Sequence, residues 1–265
     1  MKWWRSVFSM ELRKILAYRS DFWVTFLGQT FIQLLIARAL WKSVFEAQNT
    51  SSMEGFTLDM MTLYYLIVPI GTRMLTGENI GFLSREIYEG TFTRYLIYPL
   101  SVFQYKTITY LTNSLFYGIQ LMILYVLYHV CYLGGTLGNL PDLVLGVGLF
   151  LVASMTYLMM AIVIELLALW ADNIWSLMVM LRFFTTFFGG GFIPLDFFPS
   201  WATSLLQWTP FPYLVSLPVR TTMGMTSVGD ITIGLIVLFS WCLIFMMCVK
   251  LIWLKGQKKY TGVGI

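Results

Sequence analysis

DLVLGVGLFLVASMTYLMMAIVIELLALW, residues 142–170, carries only two charged side chains, Asp142 at its start and Glu165 near its end. About 20 apolar residues, rising 1.5 Å each as a helix, cross the roughly 30 Å hydrocarbon layer of a bilayer. The run is long enough for that, and it lacks the alternation of apolar and polar positions that marks a barrel strand. It reads as a membrane-spanning helix. Outward from it, five further runs of the same kind occur at about 22–46, 58–83, 104–133, 174–193 and 230–254. Of the 265 residues 58% are hydrophobic and 11% charged, whereas soluble domains carry roughly a quarter charged residues. The expected fold is an all-α integral membrane protein of six transmembrane helices, one domain with no room for a water-soluble catalytic unit.

Orientation follows from the basic residues. Lys2, Arg5, Arg13, Lys14, Arg19, Arg85, Arg94, Lys106, Lys250, Lys255, Lys258 and Lys259 fall on one side of the expected spans, and only Lys42 and Arg220 on the other. The positive-inside bias places both termini and the segment around 84–106 in the cytoplasm. The basic residues of the first 21 positions do not fit a signal peptide, so this segment is expected to be retained. In it Trp4, Phe8, Leu12, Ile15 and Leu16 recur at helical spacing opposite Arg5, Ser9 and Arg13. That pattern suits an amphipathic helix along the inner leaflet, or a basic tail that fixes topology.

Few chemistries remain. No GxxxxGK[ST] phosphate loop occurs, so ATP hydrolysis by that route is not expected in this chain. The one histidine, His129, lies in an apolar run without further ligands near it, and Cys131, Cys242 and Cys248 show no CxxC spacing; neither a metal site nor a disulfide framework is indicated. No continuous basic surface suggests nucleic acid as a partner.

Ionisable residues inside spans cost a few kcal/mol each and mark substrate routes or internal pairs. Here they are Arg38, Arg73, Glu78, Glu165 and Arg182. A tight hairpin at Asp172 and Asn173 would bring Glu165 and Arg182 to nearly equal depth, so an ion pair between them is expected, either lining a translocation path or stapling the bundle. Arg73, Glu78 and Asn79 suit an inner gate, or else Glu78 and Asn79 snorkel to the cytoplasmic headgroup region. No partner is evident for Arg38.

Two connecting segments stand out. SREIYEGTFTRYLIYPLSVFQY, residues 84–105, is short and amphipathic; on a continuous helix Ile87, Thr91, Tyr95 and Tyr98 share a face, Arg85, Glu86, Glu89 and Arg94 lie elsewhere, and Pro99 ends the element. It is the expected docking element for a soluble partner, or else an interfacial connector. Between the fifth and sixth runs Pro194, Pro199, Pro210, Pro212 and Pro218 interleave with Trp201 and Trp208, too broken to span twice. A helical hairpin dipping into the outer leaflet over about 194–218 is expected, with the bend at Gly189, Gly190 and Gly191.

The order of REIYEGTFTRYLIYPLS (85–101), GGGFIPLDFFPSW (189–201), TPFPYLVSLPVR (209–220) and KKYTGVGI (258–265) resembles the type-2 permease family of ATP-binding-cassette exporters. These are the six-span subunits made separately from their ATPase, and the resemblance covers nearly the whole chain. It implies a connecting helix at 1–21, a permease domain at 22–254 and a cytoplasmic tail at 255–265. It also implies a coupling helix at about 85–98 seated in the ATPase, with Arg85, Glu86, Ile87, Glu89, Gly90, Thr91, Arg94 and Tyr95 in that role. Two ATPases carrying ATP and Mg, and a second permease, identical or homologous, would complete an inner-membrane complex; this chain would bind no cofactor. A gradient-driven secondary transporter would more often show inverted repeats with matching broken helices, and a non-transporting assembly or anchor subunit is the remaining alternative.

Overall fold

The computed structural model describes residues 3–17, 19–77, 81–97, 101–132, 139–171 and 173–260. Glu78, Asn79, Asp172, Tyr98, Pro99 and the last residues of KKYTGVGI lie outside the described residues. Helix α1 (Trp3–Ala17) leads into α2 (Arg19–Gln48), and a minimal antiparallel hairpin of β1 (Ser52–Met53) and β2 (Phe56–Thr57) turns the chain into α3 (Leu58–Thr76). The short α4 (Phe82–Tyr88) and α5 (Thr93–Ile97) precede α6 (Val102–Cys131) and α7 (Leu140–Glu165), which continues as a 3₁₀ turn over Leu166–Leu169. After α8 (Trp175–Phe188) come a 3₁₀ turn at Leu195–Phe197, α9 (Ser200–Leu206), α10 (Phe211–Leu214) and α11 (Ser216–Thr222), then α12 (Val228–Gly256).

Among the described residues three helices are both long and apolar enough to cross a membrane: Val102–Cys131, Leu140–Leu169 and Val228–Gly256. Of the other three expected runs, all helical, α3 and α8 fall short of that standard. Helix α2 has the length, 30 residues, with several side chains of its first half outside the described residues. Helix α3 is 19 residues with Pro69 inside it, and α8, at 14 residues, reaches only about 21 Å. Glycines set both shorter limits: Gly77 caps α3 by donating its N–H to the Arg73 carbonyl at 2.9 Å, and Gly189 does the same to Thr185 at 3.0 Å.

Helix α3 is the centre of the bundle, with Met61, Tyr64, Ile67, Ile70, Met74 and Leu75 buried against α2, α6 and α7. Its last carbonyls have no next helical turn to accept from, so other groups must satisfy them. Hydroxyls of the neighbouring helices do so: Ser114 of α6 and Ser154 of α7 donate to the Met74 carbonyl at 2.7 and 3.0 Å, and Tyr110 donates to the Leu75 carbonyl. At the other end of α3, Tyr64 and Tyr65 donate to the carbonyls of Gly190 and Phe192, both at 2.6 Å. These two bonds hold the chain reversal after α8, where Gly190 has φ +85°, a left-handed conformation that glycine adopts at little cost. The outward faces of α2 and α12, with Phe31, Ile32 and Leu35 on one and Ile236, Phe239 and Met247 on the other, are exposed and apolar, as suits helices in contact with lipid or with another membrane protein.

Replacing Tyr64 by Phe removes one hydroxyl and leaves the Gly190 carbonyl without its donor. The expected cost is roughly 1–3 kcal/mol, read as a fall of a few degrees in the unfolding midpoint of the detergent-purified chain.

Candidate functional site

The chain between α3 and α6 folds into a compact knuckle, not the continuous helix expected from its periodicity. Helix α4 stops at Tyr88; the Glu89 and Gly90 amides close its last turn onto the Arg85 and Ile87 carbonyls at 2.8 and 3.2 Å. Gly90 then reverses direction at φ +73°, which a side chain at that position would oppose. The Phe92 amide returns to the Glu86 carbonyl at 3.0 Å, and α5 begins at Thr93.

Two clamps seat the knuckle on the bundle. The first is aromatic: Phe92 is buried, with its ring centroid 5.9 Å from Tyr95, 5.7 Å from Trp253 and 5.2 Å from Tyr260. The Tyr260 hydroxyl also donates to the Gly90 carbonyl at 2.9 Å, so the end of the chain holds the turn directly. The second clamp is polar. The Glu165 carboxylate, 1% exposed, accepts from the Gly81 and Leu83 amides at 2.7 and 2.9 Å and from the Lys106 ammonium at 2.8 Å. One carboxylate at the end of α7 therefore ties down the start of α4 and a side chain of α6.

This geometry overturns the expected pair of Glu165 with Arg182. Depth along a hairpin says nothing of direction around the helix axis. Glu165 points into the packed interior, whereas Arg182 is exposed on α8 and lies against the buried Tyr157 hydroxyl. Lys106, read from sequence as a loop residue that sets topology, is a buried member of the ion pair. Of the other intramembrane charges, Arg38 and Arg73 are among the described residues. Arg38 sits at the opposite end of the bundle, donating to Thr62 at 2.9 Å, 3.6 Å from Asp59 and over the Tyr132 ring. Arg73 occupies the last turn of α3.

The knuckle sorts its own residues in the same way. Ile87 and Tyr95 are buried, but Thr91, expected on their face, is exposed because the Gly90 reversal intervenes. Glu86 is buried and ion-pairs with Arg94, and it accepts from the Tyr95 hydroxyl at 2.9 Å. Burial pushes the Tyr95 phenol up to about 12, so it remains a neutral donor. Arg85 and Glu89 form an exposed pair at 2.6 Å. What the knuckle presents outward is Phe82 and Tyr88, 46% and 44% exposed, with Arg85, Glu89, Thr91 and Arg94. Phe82 and Tyr88 were missed by the sequence reading, although two exposed rings flanking a charged turn are a signal it contains.

At the other end, Pro194 and Pro199 each precede a short helical turn, at Leu195–Phe197 and α9, and Arg220 of α11 holds Asp196 at 2.7 Å. Trp201, Leu205 and Trp208 are exposed around the buried Leu206. His129 lies against Tyr125, its Nδ1 3.0 Å from the Tyr125 carbonyl, and no group of residues able to hold a metal occurs among the described residues.

A bundle of long apolar helices, with a rigid knuckle clamped at one end and outward apolar faces, defines a multi-pass α-helical membrane protein. The family model described as ABC-2 family transporter protein matches residues 27–264, and the chain belongs to that family, whose members are membrane permease components of ABC transporters. No curated protein and no solved structure matches it.

Removing one partner of a buried ion pair strands the other charge, so Lys106→Met is expected to cost roughly 3–5 kcal/mol. The double variant Lys106→Met with Glu165→Leu is expected to recover part of that loss, short of the wild type because the Gly81 and Leu83 amides also lose their acceptor. Thermal unfolding of the wild type and the two variants in one detergent measures both.

Proposed function

We propose that this chain is the membrane-spanning permease subunit of an ATP-driven exporter and is moved by a separate ATPase bound at the knuckle. The observation that carries the reading is that combination: a protruding charged and aromatic face on an element that cannot shift without pulling α7, α6 and α12. A push on Phe82, Arg85, Tyr88 or Glu89 reaches α7 through the Glu165 carboxylate and α12 through Trp253 and Tyr260. A loose connector would absorb the same push.

In this reading α2, α3, α6, α7, α8 and α12 form six spans, α8 completing its crossing with the apolar turn that follows it. The basic end, with α1, the knuckle and both termini, faces the cytoplasm of a bacterial cell, as the distribution of lysine and arginine supports. Residues 1–21 are the connecting helix at the membrane surface, 22–254 the permease domain and 255–265 the tail. The segment 194–218 dips into the outer leaflet, its exposed Trp201 and Trp208 at the interface. The chain itself is not an enzyme; ATP and Mg bind in the partner. The complex pairs two ATPases with two permeases, the second permease identical or homologous, which would cover part of the apolar faces of α2 and α8.

The test uses the assembled complex. Tyr88→Ala and Glu89→Ala are expected to weaken ATPase binding about tenfold, or 1.4 kcal/mol, with the permease still folded. Glu165→Gln keeps the exposed face, so it is expected to retain binding and to lower the cargo moved per ATP consumed. Full binding and full transport in the first two variants would reject the knuckle as the coupling site. Transport by this chain alone, driven by an ion gradient without nucleotide, would reject the exporter reading altogether.

A further inference from the structure

Between α4, the 3₁₀ turn after α7 and the first half of α8 lies a cavity of about 690 Å³, within the range of pockets that hold small organic ligands. Two guanidinium groups line it, Arg85 from α4 and Arg182 from α8. The rest of the lining is mainly apolar, with Phe82 on one wall and Trp175, Met178 and Val179 on the other. The charges decide what such a space accepts. Glu165, the nearest expected counter-ion for Arg182, is already saturated by Lys106 and two backbone amides. Among the described residues no carboxylate pairs with Arg182, and Arg85 holds Glu89 through Nε alone. An arginine within the bilayer costs a few kcal/mol, and an anion seated beside it offsets much of that cost. Guanidinium is the cation best matched to phosphate, which it holds with two parallel hydrogen bonds.

We propose that this cavity binds an amphiphile with a phosphate-bearing headgroup, taken from the leaflet at the basic end of the bundle. Arg85 receives the headgroup at the mouth, and Arg182, seven residues or roughly 10 Å along α8 from Trp175, draws it inward. The hydrocarbon chains lie against Met178, Val179 and the neighbouring lipid. Both arginines are needed, since the outer one sets entry and the inner one retention. As a site the cavity stands on its own; only the identification of its occupant as cargo rests on the exporter reading.

The test is photo-labelling of the full chain alone in nanodiscs. The probe is phosphatidylglycerol with a diazirine in one acyl chain, compared with the equivalent phosphatidylcholine probe, and labelled peptides are mapped by mass spectrometry. Labelling of the Phe82 and Trp175–Val179 peptides is expected to be several-fold stronger with the anionic probe. Arg182→Gln and Arg85→Gln should each reduce it to the phosphatidylcholine level, and Arg182→Lys should restore part of it. Val179→Trp, which fills the cavity but keeps both charges, should abolish it. Thermal midpoints identical to the wild type would show that these losses are not unfolding. Equal labelling by the two probes, or labelling indifferent to both arginine changes, overturns the proposal. Complete displacement by glycerol 1-phosphate also overturns it, since a free anion would then suffice. No ATPase or transport enters this assay, so an exporter reading that fails leaves it standing, and equal labelling leaves the exporter reading untouched.

Discussion

A carboxylate buried at the end of an apolar helix must be surrounded by donors, because a buried polar group left unmatched is costly, and the structure is arranged around how Glu165 meets that demand. Desolvation of the charge costs several kcal/mol, and the attraction of Lys106 alone only roughly balances it. The amides of Gly81 and Leu83 supply the remaining hydrogen bonds. Because the donors come from two segments, 81–83 and Lys106, both far from Glu165 in sequence, satisfying one side chain fixes the relative positions of α4, α6 and α7. Stability and mechanical connection are here the same contact.

The same rule governs the end of α3. Carbonyls left over where a helix stops cannot turn to water inside a membrane protein, so Ser114, Ser154 and Tyr110 close on Met74 and Leu75. Polar residues act as rivets between helices, while apolar side chains fill the space and need no direction. Helix α3, whose last carbonyls are taken up by its neighbours, is buried on most sides, while α12 exposes most of its surface to lipid or another subunit.

The coupling role proposed for the knuckle falls where the rivets are densest. The knuckle is short, and its two helices have little intrinsic stability of their own. The aromatic clamp of Phe92, Trp253 and Tyr260 and the Glu165 clamp hold it against the bundle. The cavity with Arg85 and Arg182 lies directly beside that joint, so whatever fills it would feel the motion of α4 and α8 together.

The sequence by itself determined the class of fold, because the length and apolarity of a helix in a bilayer are local properties written in consecutive residues; the runs at 104–133, 142–170 and 230–254 reappear as long apolar helices with shifts of a few residues. It also located the broken segment after Gly191 and the short amphipathic element at 84–105, since proline, glycine and helical periodicity act locally as well. Only the tertiary structure decided which charges pair. Glu165 and Arg182 have matching depth in sequence, but direction around a helix axis depends on how whole helices pack, and that packing gave Glu165 to Lys106. The inward turn of Tyr95 beside an outward Thr91 likewise follows from a single reversal at Gly90, whose consequence appears only when the turn is closed against Tyr260.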